Sequence, residues 1–447
     1  MGSAYGPGVP ATDRRSIDRE ILRLAVPAFG ALVAEPLYIL ADTAVVGYLG
    51  TPQLGGLAVA SSALLGGYAL FIFLAYGTTA AVSRLLGAGE LRRAANQAVQ
   101  SLWLAAVIGV GLVALGAVGA ETIVGWLGAE GEVRTNALVY FRISLAGVPA
   151  FLLTMAGVGY LRGMQNTRAP LVVAVTTAVF NLVLEIVLIH GLGFGIGASA
   201  LSTVVAQWLG AGAYLTWVLG AARRHGAAMA PEPRMIRYLA RAGVALLVRT
   251  AALRAAIVVS TAVAARVGVI DLGAHQIAFE LWSFLAFALD AVAIAGQAMT
   301  GRLLGAGEMD AARAAGHRMI QWGVAMGVML GGLVAALHQV LPAVFTGDPA
   351  VRALAAFLLL WVAALQPVNG VVFVLDGVLI GAGDMRFLAV AMVVALVVFL
   401  PAAGAVLVFD LGIGWLWAAV GVLMASRLVA LATRFHGTAW MVAGAHR

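Results

Sequence analysis

The sequence predicts an all-α polytopic membrane protein with twelve transmembrane helices in two parallel six-helix repeats, an N-lobe and a C-lobe. Three observations predict it. Hydrophobic residues make up 62% of the 447-residue chain and charged residues 11%, against roughly 45–50% and about 25% in soluble domains. Twelve apolar stretches reach the ~20 helical residues needed to cross a bilayer. The heptapeptide Arg84-Leu-Leu-Gly-Ala-Gly-Glu90 also returns intact, 218 positions later, as Arg302-Leu-Leu-Gly-Ala-Gly-Glu308.

Composition removes whole function classes. All 27 basic residues are arginine, and there is no cysteine. The chain therefore has no phosphate-loop lysine, Schiff base, thiol nucleophile, disulfide or thiolate metal site. A net charge of +7 would suggest nucleic acid in a soluble protein. Here the arginines sort by membrane side, and no nucleic-acid partner is expected.

Residues 1–16, rich in Gly, Pro and Ala before turning polar, read as a disordered tail. The first apolar run is as long as a span and continues through two acids, so it reads as structure and not as a cleaved leader. The N-lobe, 17–222, holds predicted spans at 20–49, 54–86, 93–116, 133–162, 169–190 and 196–222; the C-lobe, 238–436, holds them at 238–267, 272–304, 311–337, 351–380, 387–409 and 414–435. The segment 223–237, with Pro231 and Pro233, reads as the linker, and 437–447 as a tail. Arg14, Arg15, Arg19 and Arg23 stand at the start of the first span, and alternate connections carry Arg84, Arg92, Arg93, Arg162, Arg168, Arg223, Arg224, Arg234, Arg237, Arg302, Arg313 and Arg386. The intervening connections hold chiefly Arg134, Arg266 and Arg352 among several acids. By the positive-inside rule both termini are expected in the cytoplasm of a prokaryote's inner membrane.

The offset of 218 also pairs Thr43-Ala-Val45 with Thr261-Ala-Val263, Leu54-Gly55 with Leu272-Gly273, Pro149 with Pro367, and Gly163 with Gly381. With six spans per unit, both halves enter from the same side, which makes them parallel repeats about an axis along the membrane normal. The glycine-rich heptapeptides lack the Lys-Ser/Thr of a nucleotide loop, and a helix C-cap explains them.

The acids within the spans do not recur. Glu35 and Asp42 face Leu253 and Ser260 in the second half, and Asn181 and Glu185 face Phe399 and Ala403. Glu35 and Asp42 are seven apart on the first span, within about 20° of one face, and are expected to look at one cavity. Pro27 and Pro36 interrupt the same helix and give it places to bend. Asn181 and Glu185 are one turn apart on the fifth span and can point at Asp42. Two carboxylates close together in low dielectric cannot both be charged cheaply, which suits a site that takes up and releases a proton. In the second lobe Asn369 and Asp376 share a face of the tenth span beside Pro367, which suggests a second cavity wall, and Asp290 and Gln297 share one of the eighth, beside Glu280; Asp290, Asn369 and Asp376, with Glu35 of the first lobe, are candidate substrate-cavity residues. Arg249 and Arg254 could neutralise these acids in structural ion pairs. Tyr38, Phe71, Phe73, Tyr76, Phe151, Met155, Trp282 and Phe287 are candidate cavity residues, most of them expected to serve packing. His275, near the outer end of the eighth span, is expected to be an ordinary hydrogen-bonded histidine. Gly381-Ala-Gly-Asp384 matches the short signature of intramembrane aspartyl proteases, but a cytoplasmic turn explains it better.

The chain resembles the multidrug and toxic compound extrusion (MATE) family, in its DinF-like branch. The resemblance rests on Pro27, Ala41-Asp-Thr-Ala-Val-Val-Gly47, the two Arg-Leu-Leu-Gly-Ala-Gly-Glu ends, Gly159-Tyr-Leu-Arg-Gly163 and Asn181-Leu-Val-Leu-Glu185, and covers residues 21–435. It implies two six-helix bundles that open alternately and export lipophilic, often cationic compounds in exchange for protons or sodium. It also implies that Asp42, Asn181 and Glu185, with Thr203 on the sixth span, form the ion-coupling site, and that the first helix bends at Pro27. Position 185 is commonly aspartate in this branch, and an acid expected on the seventh span of sodium-coupled members is absent where Arg254 stands. Protons are therefore favoured over sodium. A monomeric antiporter is expected, with no cofactor beyond the coupling ion and with the lipid bilayer and a small amphipathic molecule as partners. The alternatives are a flippase for lipid-linked substrates, sodium-coupled efflux and, remotely, the protease.

Overall fold

The computed structural model describes residues 14–445. Among them the chain is helical and contains no strand. The α-helices are α1 (Arg14–Gly47), α2 (Thr51–Leu70), α3 (Phe73–Gly87), α4 (Leu91–Trp126), α5 (Gly131–Ser144), α6 (Val148–Gly163), α7 (Arg168–Ile186), α8 (Ile196–Arg224), α9 (Pro233–Val267), α10 (Val269–Gly305), α11 (Met309–Leu337), α12 (Pro349–Gly381), α13 (Met385–Val408) and α14 (Ile413–His436). Helices α2 with α3 and α5 with α6 each make one broken span, giving 12 candidate membrane spans.

Three boundaries differ from the sequence reading for identifiable reasons. Helix α1 starts at Arg14, so the last residues of the expected disordered tail are helical; residues 1–13 lie outside the described residues. Its first turns are anchored by Asp18, paired with Arg318 at 2.7 Å, and by Glu20, paired with Arg302 at 2.8 Å. The connection between lobes is only residues 225–232, because Pro233 opens α9, where its missing N–H costs nothing. The C-terminal tail folds back: Trp440 is fully buried, stacks on Phe435 at 5.2 Å and donates to its carbonyl.

The buried side chains form two large clusters. One joins the N-lobe to the arginine-rich half of the C-lobe, including residues of α10 from Ala291 to Leu304 and of α12 from Val372 to Ile380. The other is confined to the remaining half of the C-lobe. The lobes thus share a core only toward the arginine-rich face.

The repeated heptapeptides meet there. A Cβ added to Gly87 would stand 1.9 Å from the Arg302 carbonyl oxygen, and one on Gly305 2.0 Å from that of Arg84. Two helix ends cross backbone to backbone, a contact that only glycine permits at these positions. The paired arginines then reach across: Arg84 donates to the carbonyls of Ala382 at 2.8 Å, Gly444 at 3.2 Å and Val442, while Arg302 binds Glu20. The heptapeptide is therefore more than a helix cap, and its recurrence builds both sides of an inter-lobe seal.

Candidate ion-coupling site

Three helices of the N-lobe each contribute two polar side chains four residues apart, and such a pair shares one helix face. Helix α1 offers Tyr38 and Asp42, α7 offers Asn181 and Glu185, and α8 offers Ser199 and Thr203. Because α8 runs opposite to the other two, the pairs form two layers.

In the layer nearer the arginine-rich face, Asn181 Nδ2 donates to the Tyr38 hydroxyl at 2.7 Å and to Thr203 Oγ1 at 3.2 Å, and the two hydroxyls lie 2.8 Å apart. In the next layer Ser199 Oγ donates to Asp42 Oδ1 at 2.9 Å. Glu185 stands within interaction range of both Asp42 and Ser199. Glu185 is completely buried, and neither of its carboxylate oxygens has a hydrogen-bond donor; Asn181 Oδ1 is likewise without one. Tyr140 of α5, also buried, closes the pocket beside Ser199 and Thr203. The backbone beyond Glu185 winds into a π-helical turn over Val187–Gly191, a distortion frequent at functional sites.

The structure thus gathers Asp42, Asn181, Glu185, Thr203 and Tyr38 around one point. Ser199 and Tyr140 were missed by sequence reasoning; the spacing of Ser199 four residues before Thr203 was the available signal. Glu35 does not join them: it is exposed and outside this hydrogen-bond network. Pro27 and Pro36 both lie inside α1, which continues through them as one helix.

The MatE family model matches residues 27–187 and 250–403. The chain belongs to the MatE family. It is 31% identical over 434 residues to the chloroplastic Protein DETOXIFICATION 44 of Arabidopsis thaliana, covering 94% of this chain and 82% of that one. It is 29% identical to DNA damage-inducible protein F of Escherichia coli, over 93% of this chain and 92% of the relative. An outward-facing multidrug resistance MATE transporter superposes with a TM-score of 0.84, at 21% identity over 94% of each chain, which shows the shared fold. The chain is a multi-pass MATE transporter of the DinF-like kind and not an enzyme.

The remaining candidates of this MATE chain fall elsewhere. Asp376 lies in an ion cluster: it accepts from Arg249 at 2.6 Å and from Arg427, all three side chains being almost wholly buried. This three-residue ion cluster lines a small cavity with Leu388 and Met392. Arg427, absent from the sequence reading, is supplied by α14. Asp290 is half-buried, with a weak hydrogen bond from the Tyr76 hydroxyl across the lobe interface at 3.4 Å. Gln297 donates to the Tyr76 carbonyl at 2.6 Å. Asn369 is fully buried between helices, with neither side-chain polar atom partnered. Met155 is half-buried in the N-lobe, and Trp282 belongs to an aromatic cluster with Phe279 and Trp417. Asp384 is held by Arg434 at 2.6 Å in the turn before α13, as the turn reading of that motif expects. His275 departs from expectation: it is buried, yet neither ring nitrogen has a hydrogen-bond partner.

Proposed function

We propose that the chain exports lipophilic or cationic small molecules in exchange for protons, with Asp42 and Glu185 as the proton-carrying pair. The observation that carries this reading is the enclosure of Glu185, whose two oxygens have no donor and whose neighbour is a second carboxylate. Burying an unpaired carboxylate is costly, and two adjacent ones more so. Such a pair is accommodated when protons reside on it, and uptake and release of those protons is the chemistry of coupling.

Several relatives support the efflux half of the proposal, among them the probable multidrug resistance protein NorM of Thermotoga maritima and the multidrug resistance protein MdtK of Pectobacterium atrosepticum. If the arginine-rich face is cytoplasmic, as the positive-inside rule predicts, the lobes are sealed inside and the cleft faces out. Protonation from outside then relaxes the pocket and lets α1 bend at Pro27, which narrows the lobe and expels the substrate. Release of the protons inward resets the cycle. One charge moved through 100 mV supplies about 2.3 kcal/mol, enough for about fiftyfold accumulation. A sodium ion held by Asp42, Glu185, Asn181 Oδ1 and Thr203 is the second reading, favoured by their convergence of oxygen atoms.

Transport of a fluorescent organic cation into proteoliposomes, with a pH gradient or a sodium gradient imposed separately, tests both. The proton reading requires uptake driven by the pH gradient alone, and at least a tenfold fall in Asp42→Asn and Glu185→Gln. Uptake driven only by sodium overturns it in favour of the cation cage. Failure of both gradients would remove antiport of this substrate class.

A further inference from the structure

Arg162 stands at the arginine-rich end of α6, yet it is only 8% exposed and makes no hydrogen bond or ion pair among the described residues. Burying a charge without a partner is costly. Long side chains lie back toward the N-terminus of their helix, so the guanidinium is directed away from that face and into the space between the lobes. Its electrostatic neighbours agree: they are Tyr76 and Tyr214 of its own lobe and Asp290 of α10 in the other. None of its nitrogens is sealed off, and Tyr76 and Asp290 are half-buried.

The acid opposite is also under-used. Asp290 accepts the long bond from Tyr76 at 3.4 Å, and it attracts Arg162 without forming an ion pair with it. Asp376 is engaged by Arg249 and Arg427, and Arg249, although within range of Asp290, is turned to Asp376. Three residues after Arg162, Gln165 crosses to the Ala298 carbonyl of α10 at 2.8 Å. Asp290 precedes Ala298 by eight residues, about 12 Å of helix, so the pair stands at the floor of the cleft, just beyond the seal. The internal repeat removes a packing explanation: at the offset of 218 the counterparts of Arg162 and Asp290 are Ile380 and Ile72. The fold fills both places with isoleucine, and neither charge is needed for packing.

We propose that Arg162 and Asp290 together bind zwitterionic small molecules at the floor of the cleft, with the ligand's carboxylate on Arg162 and its ammonium group on Asp290. The proposal rests on the efflux reading and narrows its substrates to compounds that carry both charges. An unpaired cation on one lobe and an under-used carboxylate on the other are satisfied together only by a ligand of both signs. A plain cation leaves Arg162 unpaired and adds a like charge beside it; a plain anion does the same to Asp290. Bonds between ionised groups are the strong ones, and a guanidinium matches the two oxygens of a carboxylate. Tyr76 neighbours both charges and offers ring surface to the apolar body of the ligand. Because the two charges belong to different lobes, movement of one lobe against the other separates them and loosens the ligand.

Saturation-transfer NMR on the purified full chain in lipid nanodiscs, without any gradient, tests the proposal. The zwitterions are phenylalanine and 4-(aminomethyl)benzoate, the matched cations 2-phenylethylamine and benzylamine, and the matched anions 3-phenylpropanoate and benzoate. At least one zwitterion is expected to half-saturate the protein at about one-tenth of the concentration its cation or anion needs, the equivalent of one charge-assisted hydrogen bond. Arg162→Met, which keeps the stem, should reduce the zwitterion to the affinity of its cation without weakening the cation. Asp290→Asn should reduce it to the affinity of its anion without weakening the anion, and Arg162→Lys should keep the preference for the zwitterion. Gel filtration reports whether each variant is folded, and Asp290→Asn carries the test if Arg162→Met is not. Variants that weaken all three kinds of ligand alike, or a wild type that prefers neither zwitterion, would overturn the site and leave an electrostatic tie between the lobes. Selective binding without gradient-driven uptake of the zwitterion into proteoliposomes would refute the export reading and keep the site, whereas uptake without selective binding would remove the site and keep export.

Discussion

Tyr38 is the residue on which the candidate pocket's layer nearer the arginine-rich face turns, since its hydroxyl meets both Asn181 and Thr203. Tyr38→Phe keeps the ring and removes that meeting point. At about 1 kcal/mol for each of the two neutral hydrogen bonds lost, proton-driven transport should fall by up to about thirtyfold, measured as initial uptake in proteoliposomes. The thermal midpoint should move little, because Asn181 keeps its bond to Thr203. Asp376 should behave in the opposite way. Removing its charge with Asp376→Asn leaves Arg249 and Arg427 buried without a counter-ion, which costs about 3–5 kcal/mol and should lower the melting temperature by many degrees. Asp290→Asn, at a half-buried site with one long hydrogen bond, should lower it far less. Asp42, Asn181 and Glu185 were legible in the sequence because acids and amides are costly inside a membrane and their spacing put them on facing stripes. Ser199 and Tyr140 were not, because hydroxyls are inexpensive in spans and only tertiary contact distinguishes a pocket hydroxyl from any other. Arg427 was hidden for another reason: it lies near the middle of a last span that holds no acid, and its partner Asp376 is on another helix.

At the scale of elements, α11 and α12 show how glycine sets the approach of two spans. A Cβ at Gly327 would come within 2.4 Å of the Gln366 carbonyl oxygen, one at Gly331 within 2.5 Å of that of Ala363, and one at Gly370 within 2.0 Å of that of Gly323. Small residues four apart let membrane helices approach closely, where dispersion and weak Cα–H···O contacts hold them. Gly370→Ala should therefore force the pair apart and destabilise by about 1–3 kcal/mol, as overpacking does. A thermal melt in detergent should show the loss, with Gly332→Ala, on the open side of α11, close to wild type. The twelve spans were legible because length and apolarity alone define them. Their internal breaks were not: the interruption at Phe71–Ile72 has no proline, and the π turn after Glu185 begins in an unbroken apolar run. Pro27 and Pro36 sit inside a continuous α1, where a bilayer span finds other ways to satisfy each freed carbonyl.

For the whole molecule, the proposed alternating access requires that the seal at the arginine-rich face come apart. The contacts to be broken are concentrated there: the glycine crossings of Gly87 and Gly305, the ion pairs of Asp18 and Glu20 with the opposite lobe, and Arg84 spanning to Ala382 and the C-terminal tail. The sequence showed that two lobes exist, through the repeated heptapeptide, but not that the two copies touch, since a repeat reports symmetry and not contact. The absence of cysteine makes the contact directly testable. An added Cβ at Gly301 lies 3.0 Å from Ser83 Cβ, somewhat inside the spacing of about 3.5–4.5 Å that a disulfide prefers, so a small adjustment bridges the pair. Ser83→Cys combined with Gly301→Cys should cross-link under mild oxidation and abolish transport, and reduction should restore it. The single variants should transport under both conditions. A fully cross-linked double variant that still transports would show that the lobes do not part here, and the seal would then be a fixed hinge around which some smaller movement delivers the substrate.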